Sequence, residues 1–160
     1  MKLYCDMDGV LTNLDGAVRK MCGLTSQEVF NKGGEKLLFD VFNEGKIDFW
    51  SEMDWMPNGY NLWLSIKSYN PTILSAVNDE IPYAKHGKKK WIENNLGYID
   101  HILCLRKEKQ NYANKYSILI DDHKNNIEEW KEKGGIGILY KDEAFQEISN
   151  IIQKIINNIV

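Results

Sequence analysis

The 160-residue sequence has few cysteines, no surplus of positive charge and no long apolar run. Its three cysteines, Cys5, Cys22 and Cys104, are odd in number and lack metal-ligand spacing, so neither a disulfide framework nor a structural zinc site is expected. With 20 Lys and Arg against 23 Asp and Glu, the formal charge is −3, which gives no broad electropositive surface for polymeric nucleic acid. Asn, Lys, Asp or Glu interrupts every apolar stretch well short of a membrane span. The N-terminal residues show no basic flank followed by an apolar signal stretch, and the expectation is a reduced, cytoplasmic protein without a membrane partner. Internal repeats and low-complexity linkers are also missing.

What is present is an alternation of short apolar segments and amphipathic ones. Lys2 to Cys5, Thr72 to Leu74, Ile99 to Leu105, Ser117 to Ile120 and Ile136 to Tyr140 read as strands, each flanked by polar or glycine residues. Between and after them lie helical patterns: Leu14 to Phe49 with a capping box at Thr25 to Glu28, Tyr60 to Tyr69, Lys88 to Leu96, the stretch ending at Gly134-Gly135, and a final helix carrying Phe145, Ile148, Ile151, Ile152, Ile155, Ile156 and Ile159. Strands alternating with helices predict an α/β fold with a doubly wound, mostly parallel sheet, in which ligands bind beyond the carboxyl ends of the strands. That rule points to Asp6, Ser75 and Asp121. The length fits one domain, 1–160, with residues 14–59 as a small helical insertion.

Two of those strand ends are acidic. Asp6-Met7-Asp8-Gly9 leaves the first strand, and Ile120-Asp121-Asp122 ends another. Each alone has an ordinary structural explanation, an Asx turn in the first case and a helix cap in the second. Together they place carboxylates at one edge of a parallel sheet, where a buried charge costs several kcal/mol unless compensated, and where hard oxygen donors suit magnesium.

These residues also resemble a known family. Asp6-Met7-Asp8-Gly9-Val10-Leu11-Thr12, Ile73-Leu74-Ser75, a lysine within Arg106-Lys107-Glu108-Lys109-Gln110, and Asp121-Asp122 match, in order, the four motifs of haloacid dehalogenase-like phosphatases. Within that superfamily the chain is most similar to the 5'(3')-deoxyribonucleotidases, through the Asp-Met-Asp-Gly-Val-Leu opening, Lys90-Trp91-Ile92-Glu93 and the Leu-Ile-Asp-Asp strand end. The resemblance implies a Rossmann-like core with a cap at 14–59 and a magnesium-dependent phosphomonoester hydrolase acting on a small molecule, a nucleotide. It implies Asp6 as nucleophile and Asp8 as general acid and base. Ser75 and Lys109 would hold the phosphoryl group, and Asp6, Asp8, Asp121 and Asp122 the magnesium. Ala76 and Arg106 would lie at the substrate, and Phe49 and Trp50 would offer rings to a base. Arg106, Lys107, Lys109 and Lys115 all lie in the interval where the catalytic lysine belongs, with Lys109 preferred. His123, where relatives often carry arginine, reads as an exposed helix start. A basic stretch at Lys85 and Lys88 to Lys90 leaves a 3'-phosphatase acting on nucleic-acid ends as the competing activity, and a phosphate- or metal-binding protein without turnover as the reading from another class.

Overall fold

The computed structural model describes residues 1–157; Ile159 of the expected apolar stripe lies outside them. They form two compact units, residues 1–12, 55–76 and 100–157 in one and residues 13–54 and 77–99 in the other.

The first unit is built on five parallel strands, β1 (Lys2–Cys5), β2 (Thr72–Ala76), β3 (His101–Cys104), β4 (Ser117–Asp121) and β5 (Ile136–Leu139), in the order β3-β2-β1-β4-β5. The α/β, mostly parallel architecture expected from the sequence is therefore present. Chain order reverses beside β1, which pairs with both β2 and β4, so the topological switch lies next to the first strand. β1 and β4 run in register from Lys2 opposite Ser117 to Cys5 opposite Ile120, and this sets Asp6 beside Asp121. Alternation along the strands sends Tyr4, Leu74 and Leu119 to one face, where they pack with Ile127 and Trp130. Ile127 and Trp130 belong to the helix Lys124–Glu132. The opposite set, Leu3, Cys5, Ile73, Ile118 and Ile120, is fully buried. The helices Gly59–Ile66 and Phe145–Asn157 pack together in the same unit, with Ser65 and Ser149 hydroxyls 2.9 Å apart at their contact.

The second unit is helical: Leu14–Cys22, Ser26–Glu44, Lys46–Ser51 and Tyr83–Leu96. The capping box expected at Thr25 is formed, with Glu28 N–H donating to Thr25 Oγ1 and Thr25 N–H donating to Glu28. Gly34, at φ 68°, breaks the long second helix. The fourth helix contributes to this unit although it lies between β2 and β3 in sequence: Gly87 sits so close to Trp50 that a Cβ there would collide with it, and Trp91 donates to the Met53 carbonyl at 2.8 Å. The helical unit thus draws on 77–99 as well as on the insertion after β1.

Candidate functional site

The site grows from the two loops that leave β1 and β4. After Cys5 the chain turns at once: the N–H groups of Val10, Leu11 and Thr12 all point to the Met7 carbonyl, and Gly9 N–H donates to the Thr12 carbonyl. Gly9 makes this turn possible, since its φ is 75° and a Cβ there would meet the carboxylate of Asp122. An antiparallel bridge from Thr12 to Trp55 and a 2.7 Å bond from Met56 N–H to the Leu11 carbonyl fasten the loop to the returning chain. The loop is therefore held by main-chain bonds, which leaves its acids for other work.

Asp6 is buried, with Met7 N–H donating to its Oδ1 at 2.7 Å and Lys109 Nζ 2.9 Å from its Oδ2. Lys109 Nζ also donates to Asp121 Oδ2 at 2.8 Å. Its side chain comes from the short 3₁₀ turn Arg106–Tyr112 and is 2% exposed, whereas Arg106, Lys107 and Lys115 are exposed. Burial alone would lower the pKa of Lys109, but the carboxylates of Asp6 and Asp121 outweigh it and the net shift is upward. The ammonium stays charged. Asp8 is half-buried, its Oδ1 accepting from the Thr12 hydroxyl at 3.1 Å.

Asp121 is fully buried and carries the densest set of donors. His123 N–H reaches Oδ1 at 2.8 Å, while Asn126 Nδ2 reaches Oδ1 at 3.0 Å and Oδ2 at 2.9 Å. His123 is an exposed helix-start residue, as its sequence position suggests. Among the described residues, Asp6, Asp121 and Asp122 form a group whose carboxylate oxygens lie within 4.8 Å of one another. Three carboxylates beside one ammonium leave two formal negative charges, which is the charge of one divalent cation with opposite sign. The group responds to that imbalance: partial burial, then the charges of Asp6 and Asp121, push Asp122 up to about 7. Clustered hard oxygen donors, a rigid loop and a net charge of minus two fit magnesium.

The other expected site residues are placed differently. Ser75 is fully buried near the carboxyl end of β2, followed by the partly buried Ala76. Arg106 does not extend as a free substrate contact. Its guanidinium donates to Asn126 Oδ1 at 2.9 Å and pairs with Glu129 at 3.2 Å. Phe49 and Trp50 are both buried; their rings pack edge-to-face against each other at 4.9 Å, and both also pack against Phe42, at 5.2 Å and 5.0 Å. Large apolar rings in a small helical unit are its core, and the sequence pattern could not separate that use from base stacking. Lys88, counted in the basic stretch, is also buried, with its Nζ 5.0 Å from the Trp50 ring. Asn126 was missed altogether. The signal available was its position one helical turn after Asp122, on a helix that opens at the acidic pair.

This fold is shared with hydrolases of the haloacid dehalogenase kind. A HAD-family enzyme from Bacteroides thetaiotaomicron, solved with magnesium and inorganic phosphate, is 18% identical, with 88% of this chain and 94% of that one covered at a TM-score of 0.51. A hydrolase from Pseudomonas syringae is similar at 9% identity, 92% and 89% coverage and a TM-score of 0.53. A phosphonoacetaldehyde hydrolase-like protein from Oleispira antarctica follows at 12% identity, 88% and 72% coverage and a TM-score of 0.52. No family model matches the sequence, and no curated protein does. Among the described residues no helix is long and apolar enough to cross a membrane.

Proposed function

We propose that the protein is a magnesium-dependent phosphomonoester hydrolase that works through an aspartyl-phosphate on Asp6. The observation that carries this reading is the convergence of Asp6, Asp121 and Asp122 around one point, with the buried Lys109 bound to two of them. Magnesium fits Asp6, Asp121 and Asp122, and when bound it would supply charge neutralisation for an incoming phosphate dianion. That the Bacteroides enzyme of similar fold holds magnesium and phosphate supports the choice of cation and substrate class.

The chain's own groups then divide the chemistry. Asp6 attacks phosphorus as the bond to the leaving oxygen breaks, and Asp8 donates a proton to that oxygen so that an alcohol departs. Water next attacks the phosphoryl group, Asp8 takes its proton, and the bond to Asp6 breaks to release inorganic phosphate. Thr12 holds Asp8 at the mouth of the loop through its 3.1 Å bond. Lys109 keeps one positive charge beside the attacking carboxylate, and Ser75 lies at a strand end where its hydroxyl can serve a phosphate oxygen.

The substrate we infer is a nucleoside monophosphate, in particular a deoxynucleotide. This rests on the Asp-Met-Asp-Gly-Val-Leu opening and the Leu-Ile-Asp-Asp strand end, and not on Phe49 or Trp50. The burial of Lys88 removes one member of the basic stretch that favoured nucleic-acid ends. Phosphate release from ribo- and deoxynucleoside monophosphates, a 3'-phosphate oligonucleotide, sugar phosphates and an aryl phosphate, each with magnesium and with chelator, tests the reading. Magnesium-dependent release concentrated in deoxynucleotides is expected. Release from sugar phosphates alone would leave the phosphatase and reject the nucleotide; no release from any substrate would reject both.

A further inference from the structure

Asp121 does not hold its own orientation. We propose that Asn126, itself oriented by Arg106, is the positioning residue that fixes the Asp121 carboxylate for metal binding, and that Arg106 serves the site through Asn126. The inference rests on the metal reading above and assigns a task to two residues with no place in the chemistry.

The geometry gives each residue one role. Asn126 is 5% exposed, on the first turn of the helix that follows Asp121, and its Nδ2 lies 3.0 Å and 2.9 Å from the two Asp121 oxygens. A donor shared between both oxygens fixes the carboxylate plane in a way that one bond to one oxygen cannot. An amide turned by half a rotation would present its oxygen to Asp121, acceptor against acceptor. Arg106 prevents this, because its Nη1 donates to Asn126 Oδ1 at 2.9 Å, and a guanidinium has no acceptor to offer in return. Glu129, 3.2 Å from the same Nη1 and one helical turn beyond Asn126, anchors Arg106. Arg106 thus donates to both Glu129 and Asn126, and Asn126 in turn donates to Asp121. Partners that orient metal-ligating carboxylates typically change metal affinity by about 10- to 100-fold when removed.

The test is magnesium titration by calorimetry on the full chain, beside steady-state kinetics on the best monophosphate, for wild type, Asn126→Leu, Arg106→Gln and the double variant. Asn126→Leu keeps the side-chain shape and deletes the amide that donates to both Asp121 oxygens; Arg106→Gln removes the guanidinium from a side chain that is 45% exposed. The expected results are magnesium binding weakened about 10- to 100-fold in Asn126→Leu and less in Arg106→Gln, with KM for the monophosphate at saturating magnesium nearly unchanged. In the double variant, Arg106→Gln should add nothing further, because its effect passes through Asn126. Wild-type magnesium affinity in a folded Asn126→Leu would overturn the inference, as would full additivity in the double variant. A wild-type chain that binds magnesium and releases no phosphate would reject the phosphatase reading while this inference stands; one that binds no magnesium would overturn both.

Discussion

The two units of the chain bury different kinds of residue. In the sheet unit, four charged groups lie within a few ångströms, and each buried charge has a named partner: Asp6 and Asp121 share Lys109, and Asp121 also takes Asn126 and the His123 N–H. The helical unit buries mainly rings, Phe42, Phe49 and Trp50 against one another with Lys88 beside Trp50, and among the described residues the Nε1–H of Trp50 has no hydrogen-bond partner. The first arrangement is costly and is tolerated only when every member is satisfied; the second is ordinary hydrophobic packing. Chemistry belongs with the first. If that contrast is right, substitutions in the charged cluster of the sheet unit should change catalysis, and those in the helical unit should change stability with little effect on catalysis.

The largest effect should come from Asp6→Asn, which keeps shape and removes the attacking charge. Turnover should fall by at least about 10³-fold with unfolding unchanged in midpoint within a few degrees, measured by phosphate release and thermal denaturation. A near-wild-type rate would remove Asp6 from the nucleophile role and erase the contrast between the units.

Next is Lys109→Met, which leaves Asp6 and Asp121 buried beside each other without their shared cation. Breaking such a group costs about 3–5 kcal/mol in the metal-free protein. Added magnesium should restore more stability to this variant than to wild type, because it supplies the charge that the ammonium gave. Denaturant unfolding with and without magnesium measures both terms, and equal stabilisation of the two proteins would place the cation elsewhere.

The uneven legibility of the sequence follows from the same contrast. Acids at the ends of apolar strands are conspicuous because burial penalises them, so Asp6, Asp121 and the parallel sheet that aligns them could be read from spacing. Lys109 stood among four basic residues, and only the 3₁₀ turn that buries it separates it from Arg106, Lys107 and Lys115. Such a turn has too few residues for a periodic pattern. The helix Tyr83–Leu96 shows its apolar positions Ala84, Trp91 and Ile92, yet periodicity does not say which partner they pack on; the close approach of Gly87 to Trp50 does. Phe49 and Trp50 stay ambiguous in sequence because an aromatic residue has the same signature in a core and in a base pocket.

A smaller effect concerns pH. Asp122 is held at about 7 in the metal-free site, against an ordinary carboxyl value near 3.8. The folded state thus binds this proton more tightly than the unfolded one, so its contribution to stability is complete below about pH 4 and is lost as pH rises through 7. Solvent screening at this partly exposed side chain reduces the effect to the order of 1 kcal/mol, or about 2–4 °C in midpoint. Asp122→Asn should therefore be the more stable protein at pH 8 without magnesium and should lose that advantage at pH 4; the same gap at both pH values would show that Asp122 is not the titrating group.

The smallest catalytic effect should come from the helical unit. Phe49→Leu keeps apolar volume and removes a ring packed at 5.2 Å from Phe42 and 4.9 Å from Trp50. Stability should fall by about 1–2 kcal/mol, while the ratio of kcat/KM for a deoxynucleotide to that for an aryl phosphate should stay within about 2-fold of wild type. If Phe49 instead stacked on a base, the ratio would fall with the nucleotide alone affected, since an aryl phosphate carries no nucleobase. That outcome would mean the ring leaves its packed position when substrate binds, and the division of labour between the two units would have to be redrawn.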